Sequence, residues 1–258
     1  MILAIDIGNS HTVFGIFDKG TLASESRIVS STVGTEDELW ATLELLLDRA
    51  FVGKEDITGS VISSVVPNLT PIFEMTIAKH LSRHSLIISA TLDTGMPVKY
   101  EDPKAVGADR ICNAVAAYAK YGGPCIAVDF GTATTFDVVS KKGEYIGGAI
   151  APGVETSAVD LQRRTALLPK IDLQFPDRVI GTNTTASMQS GILYGALDAM
   201  EGMIRRLKAI IGDTATVVAT GGFSKLIASK SKLIDHVEPA LVLEGAIMIY
   251  GRVKGKHT

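Results

Sequence analysis

Apolar runs alternate with hydroxyl-rich turns from the start of the chain. Ile2-Leu3-Ala4-Ile5 leads into Asp6-Ile7-Gly8-Asn9-Ser10-His11-Thr12; a second apolar run follows and Lys19-Gly20 closes it. This pattern predicts a hairpin of strands over 2–8 and 12–18, with a third strand near 21–29. Thr35-Glu36-Asp37-Glu38 is a capping-box signature ahead of Leu39, Leu43, Leu46 and Leu47 at helical spacing, so a helix is expected to about Ala50. A β-rich run over 60–66 stops at Pro67, a helix is expected over 69–81, and Leu86-Ile87-Ile88 reads as a short buried strand. Residues 91–108, with Gly95, Pro97, Pro103 and Gly107, read as loop. A helix follows from about Ala108 to Lys120 and stops at Gly122-Gly123-Pro124.

The pattern then restarts. Strands are expected at 125–130, 134–140 and 144–150, and a helix near 154–164 after Pro152-Gly153. Residues 165–182 are irregular. Asn183 to Ile211 is the longest helical segment, with Met188, Ile192, Ala196, Met200, Met203, Leu207 and Ile211 at steps of three or four. Gly191 and Gly195 on it leave room for another helix, of this chain or of a second copy. Thr216–Ala219 is a strand running into Gly221-Gly222, which opens a helix, and a last helix is expected from Pro239 to Tyr250.

The restart is a repeat in residues as well as in pattern. Val128-Asp129-Phe130-Gly131-Thr132-Ala133-Thr134-Thr135 stands 123 positions after the first turn segment. Asp6 aligns with Asp129, Gly8 with Gly131, Thr12 with Thr135, Lys19 with Lys142 and Gly20 with Gly143. Strands mixed with helices in two related halves imply an α/β fold, divided at 1–115 and 116–258.

Composition narrows the class. The 258 residues are 46% hydrophobic and 21% charged, with a net charge of −3, which suits a globular protein with ample core. No basic block suggests a nucleic-acid partner. Cys112 and Cys125 lack metal spacing and read as small buried residues in a reducing compartment. With no signal-peptide pattern and no run of the roughly 20 apolar residues a membrane span needs, a soluble, cytoplasmic protein is expected.

The two Asp-x-Gly turns carry the first candidate chemistry. Glycine lets the backbone approach a ligand, and successive N–H groups in such a turn form an anion-binding concavity. Asn9, Ser10, Thr132, Thr134 and Thr135 add neutral donors. Asp6 and Asp129 would repel a phosphate, so a cation is expected between them and it. At Gly221-Gly222 the missing side chains leave a wall against which a flat base can lie; the same glycines also serve as an ordinary strand-to-helix turn. The third element is Tyr100-Glu101-Asp102-Pro103 with Gly107-Ala108-Asp109-Arg110. Asp109 reads either as a helix N-cap or as an acid–base residue beside a carboxylate-binding arginine. Arg110 and the helix N-terminus are expected to favour its ionised form, making it a weak base. Phosphoryl transfer tolerates that, because its transition state is loose. His80, His84, His236 and His257 read as surface residues, His11 as a turn residue in the first cradle, and Glu155 as a helix N-terminal carboxylate.

Taken together, Asp6-x-Gly8-Asn9-Ser10, Tyr100-x-x-Pro103-x-x-x-Gly107-x-Asp109-Arg110, Asp129-Phe130-Gly131-Thr132-Ala133-Thr134-Thr135, Gly147-Gly148-x-Ile150-x-Pro152-Gly153, Asn183-Thr184 and Thr220-Gly221-Gly222 closely resemble the type III pantothenate kinases, over residues 2 to about 250. The resemblance implies the fold of the actin, hexokinase and Hsp70 superfamily: duplicated ribonuclease-H-like domains with nucleotide in the cleft between them. It implies phosphorylation of pantothenate by ATP to 4′-phosphopantothenate, the first step of coenzyme A biosynthesis. It assigns Asp6, Ile7, Gly8, Asn9, Ser10, His11, Thr12, Val13 and Thr132 to the ATP phosphates, and Asp109 to the role of general base. Tyr100, Gly107, Ala108, Asp109, Arg110 and Thr184 are assigned to pantothenate. Asp129 is assigned to a monovalent cation, K⁺ or NH₄⁺, beside the nucleotide's Mg²⁺. It also implies a homodimer in which the region of Thr184 reaches the neighbour's site. Ser10 stands where the family usually has Thr, which keeps the hydroxyl. A nucleotide-binding switch or transcriptional accessory factor is a second reading, and a sugar kinase a third. Against these stand the Tyr100–Arg110 segment, which a switch does not need, and Arg110, which a neutral sugar leaves without a role.

Overall fold

The computed structural model describes residues 1–255. In chain order its elements are β1 (Ile2–Ile7), β2 (His11–Asp18), β3 (Thr21–Val29), α1 (Glu36–Arg49), β4 (Gly59–Ser64), α2 (Thr70–Leu81), β5 (Leu86–Ile87), α3 (Ala108–Tyr121), β6 (Cys125–Phe130), β7 (Ala133–Val139), β8 (Tyr145–Pro152), α4 (Val154–Arg163), α5 (Thr184–Ile211), β9 (Thr216–Thr220), α6 (Ser224–Ala228), β10 (His236–Val237) and α7 (Leu241–Lys254). These follow the expected elements closely; β10, only two residues long, is the strand that the hydrophobic pattern does not signal. Asn183 is the N-cap of α5 rather than its first residue, its Oδ1 accepting from the Ala186 N–H at 2.9 Å. His257 lies outside the described residues.

The chain forms two compact units, Met1–Ala116 with the segment from Leu241 on, and Ala117–Ala240. The first boundary falls one residue from the expected 115/116 division. Helix α7 groups with the first unit, whereas the half-and-half reading leaves it in the second. Its packing gives the reason: a Cβ on Gly245 of α7 would stand 2.0 Å from the Cys112 carbonyl oxygen of α3, so the two helices meet backbone to backbone.

In the first unit the sheet runs β3-β2-β1-β4-β5. β1, β2 and β3 are antiparallel neighbours, while β4 and β5 join parallel. α1 and α2 cover one face, with Leu39, Leu43, Leu47, Phe73 and Ile77 packed against Leu3, Ile5 and Ile7. The capping box at Thr35 forms as expected, Thr35 N–H donating to Glu38 Oε2 at 2.9 Å and Glu38 N–H to Thr35 Oγ1 at 3.3 Å.

In the second unit the sheet runs β10-β9-β6-β7-β8, the same order element for element. α4 and α5 bury Val154, Leu193, Leu197, Met200 and Ile204 against Ile126, Val128 and Phe130. The duplication inferred from the residues is therefore a duplication of sheets.

The registers revise one detail. In the first hairpin Ile7 pairs with Thr12, leaving four residues, Gly8 to His11, in the turn. In the second, Phe130 pairs with Thr134, leaving three, Gly131 to Ala133. The second turn is one residue shorter, so the counterpart of Thr12 is Thr134, not Thr135. Burial agrees: Thr12 is 0% and Thr134 7% exposed.

Candidate functional site

Each unit holds one turn, built in both by the same bonds. Gly8 N–H donates to the His11 carbonyl at 3.0 Å, and Gly131 N–H to the Ala133 carbonyl at 3.0 Å. The residue after the third strand then braces the turn from behind. Ser30 N–H donates to the Ser10 carbonyl at 3.0 Å, and Gly153 N–H to the Thr132 carbonyl at 3.1 Å. Ser30 Oγ also donates to the Gly8 carbonyl at 2.6 Å and lies 3.0 Å from Thr12 Oγ1. Thr156 Oγ1 donates to the Thr132 carbonyl at 2.6 Å. These carbonyls point back into the fold. Asn9, Ser10, His11, Gly131 and Thr132 stand exposed on the turns.

In the first unit, three elements converge below this turn. Asp6 and Ser63 are register partners on parallel β1 and β4, and Ser63 Oγ donates to Asp6 Oδ1 at 2.9 Å. Ser63 and Cys112 are both fully buried. The Cys112 thiol, against Ser63, is pushed well up in pKa by burial and by the negative charges of Asp6 and Asp109. Asp6 and the first turn of α3 thus share one neighbourhood. The Gly107 carbonyl accepts the Ile111 N–H at 3.2 Å, so Gly107 occupies the cap position and Asp109 sits within the first helical turn. Asp109 Oδ1 accepts the Arg110 N–H at 2.7 Å. A Cβ on Gly107 would lie 2.5 Å from Asp109 Oδ1 and 3.2 Å from Val65 Cγ1, so the glycine gives the carboxyl its place.

The direction of the Asp109 pKa shift is opposite to the sequence expectation. Burial raises its pKa, outweighing the lowering by the Arg110 N–H and guanidinium. The local charge and helix terminus were correctly signed, but desolvation, which the sequence does not display, is larger. A raised aspartate is a better base than a low one.

In the second unit, Asp129 pairs with Thr135 on β7 and with Thr220 on β9. Gly221 has a φ of +86°, and a Cβ there would stand 2.4 Å from Asp129 Oδ1 and 2.7 Å from the Phe130 backbone nitrogen. Gly221 is therefore required where β9 ends, and Gly222 beside it is exposed. Thr184 is the exposed first residue of α5.

A model of the family described as type III pantothenate kinase matches residues 2–206. The chain belongs to the type III pantothenate kinase family. A type III pantothenate kinase of Moorella thermoacetica is 48% identical over 98% of this chain and 99% of its own. Among solved structures, a conserved candidate Baf family transcriptional activator of Campylobacter jejuni is similar with a TM-score of 0.62, at 18% identity over 98% of this chain and 99% of its own. Component A of the (R)-2-hydroxyglutaryl-CoA dehydratase of Acidaminococcus fermentans has a TM-score of 0.58, at 15% identity over 99% and 98%. At such identities these likenesses show the fold alone, that of the duplicated actin-like ATPases and sugar kinases.

Against that family frame, the structure brings Asp6, Gly8–Val13 and Gly107–Arg110 together in the first unit, and Asp129, Gly131, Thr132 and Gly221-Gly222 in the second. Tyr100 is 40% exposed, in the irregular segment that reaches Gly107 through a turn over Pro103–Ala105. The sequence reading missed Ser30, Ser63 and Thr156; it read Cys112 as a small buried residue, which it is, but not as a neighbour of Asp6. Ser30 had a signal: it stands at the same repeat interval from Gly153 as Asp6 from Asp129. Ser63 and Cys112 had none, since only the register and helix packing bring them to Asp6.

Among the described residues, no three His, Cys, Asp or Glu side chains form a metal-holding group. Asp6, a single carboxylate below the first turn, fits a Mg²⁺ that arrives with its nucleotide rather than in an all-protein cage. Among the described residues, no helix is long and apolar enough to cross a membrane.

Proposed function

We propose that this chain transfers the γ-phosphoryl group of ATP to the 4′-hydroxyl of pantothenate, giving 4′-phosphopantothenate and ADP, the first step of coenzyme A biosynthesis. The observation that carries the reading is the part-buried Asp109, raised in pKa, held between Gly107 and Arg110 in the neighbourhood of Asp6. Asp109 accepts the proton of the attacking hydroxyl, and Arg110 pairs with the pantothenate carboxylate. Tyr100, Ala108 and Thr184 complete the pantothenate contacts. The N–H groups and hydroxyls of Asp6–Val13, with Gly131 and Thr132, cradle the ATP phosphates, and the base lies against Gly221-Gly222. Mg²⁺, when bound, neutralises charge on the phosphates.

Asp129 holds a monovalent cation, K⁺ or NH₄⁺; a single carboxylate between two threonines supports this. The working form is a homodimer. Support comes from α5, where Gly191 and Gly195 are exposed with open space above them, and from Val179 and Ile180, 63% and 82% exposed on the segment that Ser190 ties to α5. The two free, buried cysteines support a reducing, cytoplasmic setting.

The test is a turnover assay with pantothenate, Mg²⁺-ATP and K⁺. Phosphopantothenate is expected; folded protein that forms none, or that prefers a neutral sugar, overturns the reading. Light scattering checks the dimer, and full activity at the mass of a single chain refutes it.

A further inference from the structure

Behind Asp129 lies a carboxyl group that the phosphoryl-transfer chemistry does not use. Thr135 stands directly opposite Asp129 in the antiparallel β6–β7 register, and Asp137 follows two residues along β7. The three side chains therefore share one face of the sheet. Asp137 is 0% exposed, a position its neighbours Ala127 and Val139 fill with apolar groups. Tyr145 Oη donates to Asp137 Oδ1 at 3.0 Å, and Thr135 Oγ1 donates to Asp137 Oδ2 at 3.3 Å. Each carboxyl oxygen accepts a hydroxyl proton, which is what makes burial of the group tolerable.

The consequence falls on Thr135. A hydroxyl has one proton and two lone pairs. With the proton committed to Asp137, Oγ1 has only lone pairs left for the Asp129 side. On the opposite flank, the Thr220 hydroxyl is likewise directed away, towards the Pro239 carbonyl at 3.5 Å. A carboxylate flanked by hydroxyl oxygens whose protons are turned elsewhere is a set of oxygen ligands with one negative charge. That set suits a cation of single charge, and it disfavours an anion.

We propose that Asp137 is a positioning residue: it holds the Thr135 proton, so that Thr135 Oγ1 serves beside Asp129 as a second oxygen ligand of the monovalent cation. This rests on Asp129 holding that cation. Asp137 acts through Thr135 and touches neither the cation nor the substrates.

The experiment compares wild type with Thr135→Val, Thr135→Ser and Asp137→Asn in K⁺ and in choline at equal ionic strength. One readout is the melting temperature, which a bound ion raises; the other is the K⁺ concentration for half-maximal activity. Wild type is expected to melt higher in K⁺ than in choline. Thr135→Val, which keeps the shape and loses the oxygen, should abolish that difference and raise the K⁺ requirement about tenfold, the loss of one ligand to a charged group. Thr135→Ser should restore both, and Asp137→Asn should raise the K⁺ requirement with little change in the KM for pantothenate. A Thr135→Val protein with the wild-type K⁺ response overturns the proposal, and remains decisive if Asp137→Asn does not fold. A wild type that does not distinguish K⁺ from choline removes the cation from Asp129, and the proposal falls with it.

Discussion

Ser63 Oγ donates to Asp6 Oδ1 at 2.9 Å across the parallel register that joins β1 to β4. The bond fixes the rotamer of the carboxylate below the first turn. A hydrogen bond to a charged group contributes about 1.5–3 kcal/mol, so Ser63→Ala is expected to release Asp6 and raise the KM for Mg²⁺-ATP about tenfold. The KM for pantothenate should stay near wild type, because Gly107–Arg110 is untouched. Steady-state kinetics with each substrate varied in turn decides this; an unaltered KM for ATP means that Ser63 does not orient Asp6.

The case of Ser63 also shows where sequence reading stops. The turn motifs were legible because they are local: Asp, Gly and hydroxyls within eight residues, repeated at a fixed interval. Helices α1 and α5 were legible from leucine and methionine periodicity. Contacts made by register were not legible. Ser63 lies in an apolar run and looks like any buried serine until β4 is set beside β1. The one-residue shortening of the second turn was hidden for the same reason, because the longer turn between β7 and β8 restores the interval by Lys142-Gly143. Asp109 was placed correctly on α3 from sequence, but the direction of its pKa shift depends on burial by chain far from it in sequence. Helix α7 was seen as a helix, while its membership of the first unit depends on Gly245 meeting Cys112.

The raised pKa of Asp109 fixes the sign of two pH effects. As a base it works ionised, so activity is lost as pH falls through its folded pKa. The acid limb of kcat/KM should therefore lie above the ordinary aspartate value of about 3.9. Replacing Arg110 by Met removes a lowering influence and should move that limb higher still. For stability, the contribution of Asp109 is fully present below its unfolded pKa and is lost as pH rises through the higher folded one. Asp109→Asn is then expected to melt no lower than wild type at neutral pH while turnover falls by roughly 10²–10⁴. Wild-type turnover in Asp109→Asn would remove the residue from the mechanism.

Gly221 should tolerate no side chain. Its φ of +86° disfavours any other residue, and the added Cβ would stand 2.7 Å from both the Phe130 nitrogen and its carbonyl carbon, atoms that cannot rotate away. It would also stand 2.4 Å from Asp129 Oδ1. Gly221→Ala is expected to cost about 2 kcal/mol or more from strain and overpacking together, and to weaken ATP binding. Denaturant unfolding and ATP titration measure the two; a stability equal to wild type would show that the β9 end relaxes freely.

Gly107→Ala and Gly245→Ala form a contrasting pair within the first unit. At Gly107 the new Cβ meets Asp109 Oδ1 at 2.5 Å, the far end of a side chain that can turn aside. Stability should change little, but the turn takes the base out of place, and misplacement of about 1 Å can cost about a hundredfold in rate. At Gly245 the Cβ meets the Cys112 carbonyl oxygen at 2.0 Å and its carbon at 2.6 Å, which are backbone. Alanine gains about 1 kcal/mol over glycine in a helix interior, whereas forcing α7 off α3 costs about 1–3 kcal/mol, and at a 2.0 Å approach the upper end applies. Gly245→Ala should therefore melt several degrees lower while the folded fraction keeps near-normal KM values. Paired melting curves and kinetics separate the two glycines. Equal losses of stability in both would mean that the Asp109 side chain is locked in place and cannot yield to a neighbour.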